Sequence, residues 1–108
     1  RVIHHEVFHI INDSYKSLFS EEEWTKFNNK NFKYAECSTC TKKLGLNTYE
    51  NTNGFLTEYS QSTASEDMAE VFSHLIFKVN KSKNDSILKK KEIFIKKNIS
   101  IIDSNFKF

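Results

Sequence analysis

The sequence predicts a mainly α fold with little or no sheet. Three observations carry that expectation. Met68, Val71, Phe72, Leu75, Ile76 and Val79 recur at helical intervals and make one apolar stripe. Ser20 before three glutamates, and Thr63 three residues before Glu66, are helix-start signals. The Lys-rich stretch from Ser86 onward is amphipathic at the same period.

Each element follows from its residues. Val2 to about Ser14 reads as a helix, apolar on most sides through Val2, Ile3, Val7, Phe8, Ile10 and Ile11. A helix of that kind is expected to be buried. Ser20 with Glu21, Glu22 and Glu23 opens a short helix through Trp24 and Phe27, because a hydroxyl cap and first-turn acids satisfy its free N–H groups. Residues 28–54 are loop-rich, with Phe32 and Tyr34 alternating with polar neighbours in a short extended segment. Asn53-Gly54 is a turn signal, and Phe55 to Tyr59 is read as extended on leaving it. A helix is expected from Ala64 to Val79, then a polar break over 80–85, then a last helix from Ser86 to Lys97. No internal repeat is present.

The bulk numbers bound the answer loosely. A chain of 108 residues makes one small domain, 1–108, with one core, and ten Phe and four Tyr supply much of the packing. The chain begins at Arg1 without an initiator Met, and we read it as cut short at its N-terminus. Residues 1–77 carry a net charge of −4 and residues 78–108 a net charge of +6. The basic end is read as a solvated helix face rather than a nucleic-acid surface. No apolar run approaches the ~20 residues of a membrane span. Two cysteines make no disulfide scaffold. Cys37 and Cys40 form a lone C-x-x-C, a disulfide in an exported protein or two thiols in a cytosolic one, and compartment stays open.

Chemistry enters with "IHHEVFH", Ile3 to His9. His5 and His9 are four apart, so on a helix both imidazoles point the same way, about 40° apart in projection. Glu6 stands at the edge of that face. This is H-E-x-x-H: two zinc ligands, and a carboxylate placed to take a proton from a metal-activated water. Buried without a metal, such a trio would cost several kcal/mol in unmet polar demand. A catalytic zinc needs a third protein ligand. Glu66 and Glu70, also four apart, lie on the side of the second helix away from its apolar stripe, so packing does not explain them. One is a candidate ligand and the other a candidate partner for a ligand histidine. Asp13, one turn beyond His9, is a further candidate support for a ligand histidine. His4 is turned about 100° from His5 and is read as a surface or supporting residue. His74 is read as solvated or locally hydrogen-bonded.

The pair "HEVFH" and "EDMAE" resembles a gluzincin-type zincin metallopeptidase. The stretch "TEYSQSTASEDMAE", Thr57 to Glu70, is similar to the anthrax lethal factor catalytic domain and to the putative zinc-binding metallopeptidases of bacteria. Trp24, Asn28, Phe32 and Tyr34 resemble the bacterial group more loosely. The resemblance implies a zincin-like catalytic fragment, with an active-site helix and a third-ligand helix. It implies Zn2+ held by His5, His9 and Glu66, with Glu70 fixing the tautomer of His5 and Tyr59 donating to the developing oxyanion. It implies a peptide or protein substrate, hydrolysed with Glu6 as general base. Two alternatives remain at this level: a zinc-binding module without catalysis, and a helical interaction domain without metal.

Overall fold

A computed structural model describes residues 2–35, 53–77, 85–106 and 108. Among these residues four helices appear in order: α1 Val2–Ser14, α2 Glu21–Thr25, α3 Ala64–Ile76 and α4 Ser86–Ile102. A 3₁₀ turn, Tyr59–Gln61, precedes α3. No strand occurs among the described residues, in line with the mainly α expectation.

The caps explain where the helices start. Ser20 accepts from the Glu23 N–H at 3.3 Å, Thr63 from the Glu66 N–H at 3.1 Å, and Asp85 from the Leu88 N–H at 2.9 Å. α2 is shorter than its sequence signals suggest, and Phe27 falls in the turn that follows. α4 runs five residues past Lys97 because Asn98 and Ile99 continue its buried face. The expected end of α3 at Val79, and the C-x-x-C pair Cys37 and Cys40, lie outside the described residues.

α3 is the central element, with α1 against one side and α4 against another. Its inner side chains Met68, Val71, Phe72 and Leu75 are buried. Phe8 of α1 lies between Phe19 and Phe72, with ring centroids 5.1 and 5.4 Å away. Trp24 of α2 meets Phe94 of α4 edge-on at 5.5 Å. Burying a ring of this size removes well over 100 Å² from water, so these aromatics carry much of the stability.

Two expectations are corrected here. α1 is covered on one side only: Ile3 is 76 % exposed and Ile10 68 % exposed, and Val7 is exposed as well. His5, Phe8, His9 and Asn12 occupy the arc that faces α3, which leaves those three on the opposite arc. The basic helix is not only a solvated face, since Lys91 is fully buried. The two segments read as extended, 32–34 and 55–59, do not form a ladder among the described residues. They meet through rings instead, with Phe32 4.6 Å from Phe55, and through one bond from the Ala35 N–H to Ser62 O at 2.8 Å.

Candidate metal centre

α1 presents His5 and His9 toward the first turn of α3. Glu66 stands there because Thr63 caps that turn and leaves the Glu66 side chain unused by the cap. In a reciprocal capping box the glutamate would reach back to the cap residue. Here its two oxygens go to the histidines: Oε2 is 3.1 Å from His5 Nε2, and Oε1 is 2.7 Å from His9 Nε2. The two Nε2 atoms are 3.2 Å apart. Three ligand-type side chains from two helices therefore converge.

A surrounding layer orients them. Glu70 Oε2 is 2.9 Å from His5 Nδ1, and Glu70 Oε1 accepts from the Thr57 hydroxyl at 2.9 Å. Thr57 is held in turn by the Ser60 N–H. His9 Nδ1 is 3.2 Å from Ser65 Oγ, which accepts from the Asn12 amide. Tyr59 hydrogen-bonds the Glu66 carboxylate, and its ring lies 6.0 Å from that of His5. Glu6 is exposed, and a carboxylate oxygen of Glu6 lies within 4.8 Å of ligand nitrogens of both His5 and His9.

Hydrogen-bond bookkeeping at His5 decides what the cluster needs. A neutral imidazole has one N–H. An ionised carboxylate can only accept, and carboxylates face both ring nitrogens of His5, Glu70 at Nδ1 and Glu66 at Nε2. With the one N–H on Nδ1, Nε2 and Glu66 Oε2 face each other as acceptors at 3.1 Å; with it on Nε2, Nδ1 and Glu70 Oε2 do so at 2.9 Å. Something positive must lie between them, a proton or a metal ion. Without metal, the proton answer is visible in the electrostatics. Burial alone would lower the His5 pKa, but hydrogen bonds and charge from Glu66 and Glu70 outweigh it and raise it to about 9. Burial would likewise raise Glu66, yet bonds from His5, His9 and Tyr59 hold it well below the usual carboxylate range.

The metal answer fits the spacing. Zinc bonds of about 2.0–2.1 Å in a tetrahedron set its ligand atoms about 3.3 Å apart. The separations of His5 Nε2 from His9 Nε2, 3.2 Å, and from Glu66 Oε2, 3.1 Å, are close to that edge. His5, Glu6 and His9 also form a group able to hold a metal ion.

Asp13 is exposed near the end of α1, and the structure does not bring it to a ligand histidine. Helical side chains lean toward the helix N-terminus, so the His9 ring points back toward His5 and away from Asp13. Ser65 has the place by His9 that the sequence reading offered to Asp13. His4 stacks edge-on with Phe77 at 5.3 Å. His74 is buried rather than solvated and donates from Nδ1 to Glu70 O at 2.8 Å.

Sequence reasoning missed one large feature behind the site. Asp67, next to Glu66, is fully buried, and its Oδ2 accepts from Trp24 Nε1 at 3.0 Å, from Lys91 Nζ at 2.7 Å and from the Tyr34 hydroxyl. Asn28 Nδ2 donates to the same hydroxyl at 2.9 Å. Burial pushes the Asp67 carboxyl up and the Lys91 ammonium down, and their mutual attraction opposes both shifts. Trp24 and Tyr34, picked out in the sequence by resemblance, thus share Asp67 as a partner, and Asn28 joins them through the Tyr34 hydroxyl. The signal for Lys91 was its spacing: with Leu88 and Ile95 it falls on the inner arc of α4.

Among the described residues no helix is long and apolar enough to cross a membrane. No curated protein and no solved structure matches the chain, and the likeness to the anthrax lethal factor catalytic domain finds no support. One family model does match, over residues 1–107, and its family is described as a putative zinc-binding metallo-peptidase. That span takes in α1, α3 and nearly all of the sequence, so zinc is the metal to which the histidine–glutamate cluster is assigned, and the chain belongs to the family of putative zinc-binding metallo-peptidases.

Proposed function

We propose that the chain is the catalytic part of a zinc-dependent peptidase, with His5, His9 and Glu66 as metal ligands and Glu6 as general base. The observation that carries this reading is the convergence of His5 Nε2, His9 Nε2 and the Glu66 carboxylate from two helices, at contacts of 2.7 to 3.2 Å, a placement that suits one cation. Held by His5, His9 and Glu66, a zinc ion would supply Lewis acidity toward a scissile carbonyl and toward water near neutral pH.

The other steps belong to side chains of this chain. Glu6 is exposed beside the histidines, where an attacking water has access. It takes the proton of that water and delivers it to the leaving amine. Tyr59, whose hydroxyl already reaches the Glu66 carboxylate, donates to the oxyanion as the carbonyl becomes tetrahedral. Glu70 keeps the His5 proton on Nδ1, so Nε2 stays free to ligate. The substrate class is peptide or protein.

One observation favours a second reading, a zinc-binding module without catalysis. Ile3, Val7 and Ile10 leave an apolar arc of α1 exposed, as an interaction surface would. A peptide library incubated with the zinc-loaded protein separates the two. The peptidase reading expects cleavage that stops on chelation and returns with added zinc. Stable zinc binding with no cleavage of any library member supports the module instead.

A further inference from the structure

Lys91 Nζ, fully buried on α4, donates to two places: Gly54 O at 2.6 Å and Asp67 Oδ2 at 2.7 Å. Its remaining side lies over the Phe55 ring, 4.0 Å from the centroid. A buried ammonium is costly even when fully bonded, and an apolar side chain such as its neighbours on the inner arc would have filled the space. The place of its two acceptors in the chain gives the lysine a purpose. Asp67 directly follows Glu66 in the first turn of α3. Gly54 opens the segment that brings Thr57 to Glu70 and Tyr59 to Glu66. One nitrogen therefore joins the two stretches that carry or brace both glutamates of the metal centre.

We infer that Lys91 is a positioning residue for the metal centre. By bonding Gly54 and Asp67 together, it sets the spacing between the 54–60 segment and the first turn of α3, and so aims Glu66 and Glu70 at the histidines. This inference rests on the zinc reading above. Both ends of the bridge are anchored. Asp67 is also held by Trp24 and Tyr34, and the Gly54 N–H donates to Asp85 Oδ2 at 2.6 Å. Consecutive helical residues are turned about 100° from one another. Asp67 thus faces α4 while Glu66 faces α1, and freeing Asp67 lets the turn that carries Glu66 rotate.

The test is zinc affinity, by competition with a chromophoric chelator, together with the visible spectrum of the cobalt-loaded protein. Both are read at a temperature where each variant is folded. Lys91→Met is expected to weaken zinc binding by about tenfold or more and to alter the cobalt bands, which report ligand geometry. Ile99→Ala, a cavity in the same helix, is expected to lower stability while leaving affinity and spectrum as in the wild type. If Lys91→Met does not fold, the Asp67→Asn/Lys91→Met pair, which removes both buried charges, is read in the same way. Wild-type affinity and cobalt bands in the folded lysine variant overturn the inference, and so do equal losses in Ile99→Ala. A wild type that binds no zinc overturns the zinc reading itself, and the inference with it.

Discussion

His5 Nδ1 lies 2.9 Å from Glu70 Oε2, a contact between helices made by residues 65 positions apart in the chain. It engages one ring nitrogen of His5, and the other is directed at Glu66 and His9. Replacing Glu70 by alanine removes the acceptor and also takes one partner from the Thr57 hydroxyl. Zinc affinity should fall about 10- to 100-fold, the usual cost of losing a carboxylate behind a ligand histidine. A chelator competition titration measures it, and unchanged affinity would show that the contact does not tune the site.

Glu6 is exposed and takes no part in the core, so Glu6→Gln should change stability by no more than about 0.5 kcal/mol. Zinc content should stay at the wild-type level. Peptide hydrolysis should drop by roughly 10²–10⁴-fold, the scale of a lost general base. Turnover that survives at the wild-type rate would remove Glu6 from the proposed mechanism.

Stability of the zinc-free protein should depend on pH from both sides of the cluster. The folded-state pKa of His5 is raised from 6.5 to about 9, so its contribution is complete below pH 6.5 and disappears as pH rises through about 9. Glu66 is depressed below its ordinary value of 4.5, so its contribution is present above that pH and is lost as pH falls through the lower folded value. The chelated protein should therefore show its highest Tm between about pH 4.5 and 6.5, within the window those shifts define. Zinc takes the place of the proton at His5 Nε2, so the loaded protein should keep its Tm toward pH 9. Thermal melts with and without chelator across that range check both limbs, and a chelated Tm that rises between pH 6.5 and 9 would contradict the assignment of the proton to His5.

Gly54 has φ +86°, and a Cβ placed there would lie 2.8 Å from Ile87 Cγ2. Gly54→Ala should destabilise the fold by about 1–3 kcal/mol, from the left-handed backbone and the contact with Ile87 together. Its carbonyl receives Lys91 and its N–H reaches Asp85, so the loss should extend to the 54–60 segment. Chemical denaturation measures the first effect, and amide exchange at Thr57 and Ser60 the second.

The parts of the site legible in the sequence are those set by local spacing. His5, Glu6 and His9 follow from one helical repeat, and Glu66 with Glu70 from another. Tyr59 needed the resemblance, because no period links it to Glu66. What stayed illegible depends on which elements meet. An apolar helix does not announce which side its neighbours cover, so the exposure of Ile3, Val7 and Ile10 was unreadable. Nothing in the local sequence marks Ser65, whose role comes from α1 bringing His9 to it. Asp67 is by position one more first-turn acid of α3, and only the return of α4 supplies the ammonium that makes its burial tolerable.

The central claim is that one zinc ion joins α1 to α3 through His5, His9 and Glu66. Elemental analysis of the purified protein, beside His9→Ala and Glu66→Ala prepared in the same way, tests it most directly. The account predicts one zinc per chain in the wild type, near zero for the histidine variant, and strongly reduced content for the glutamate variant. Wild-type protein free of zinc after exposure to it, or full occupancy in both variants, would contradict it.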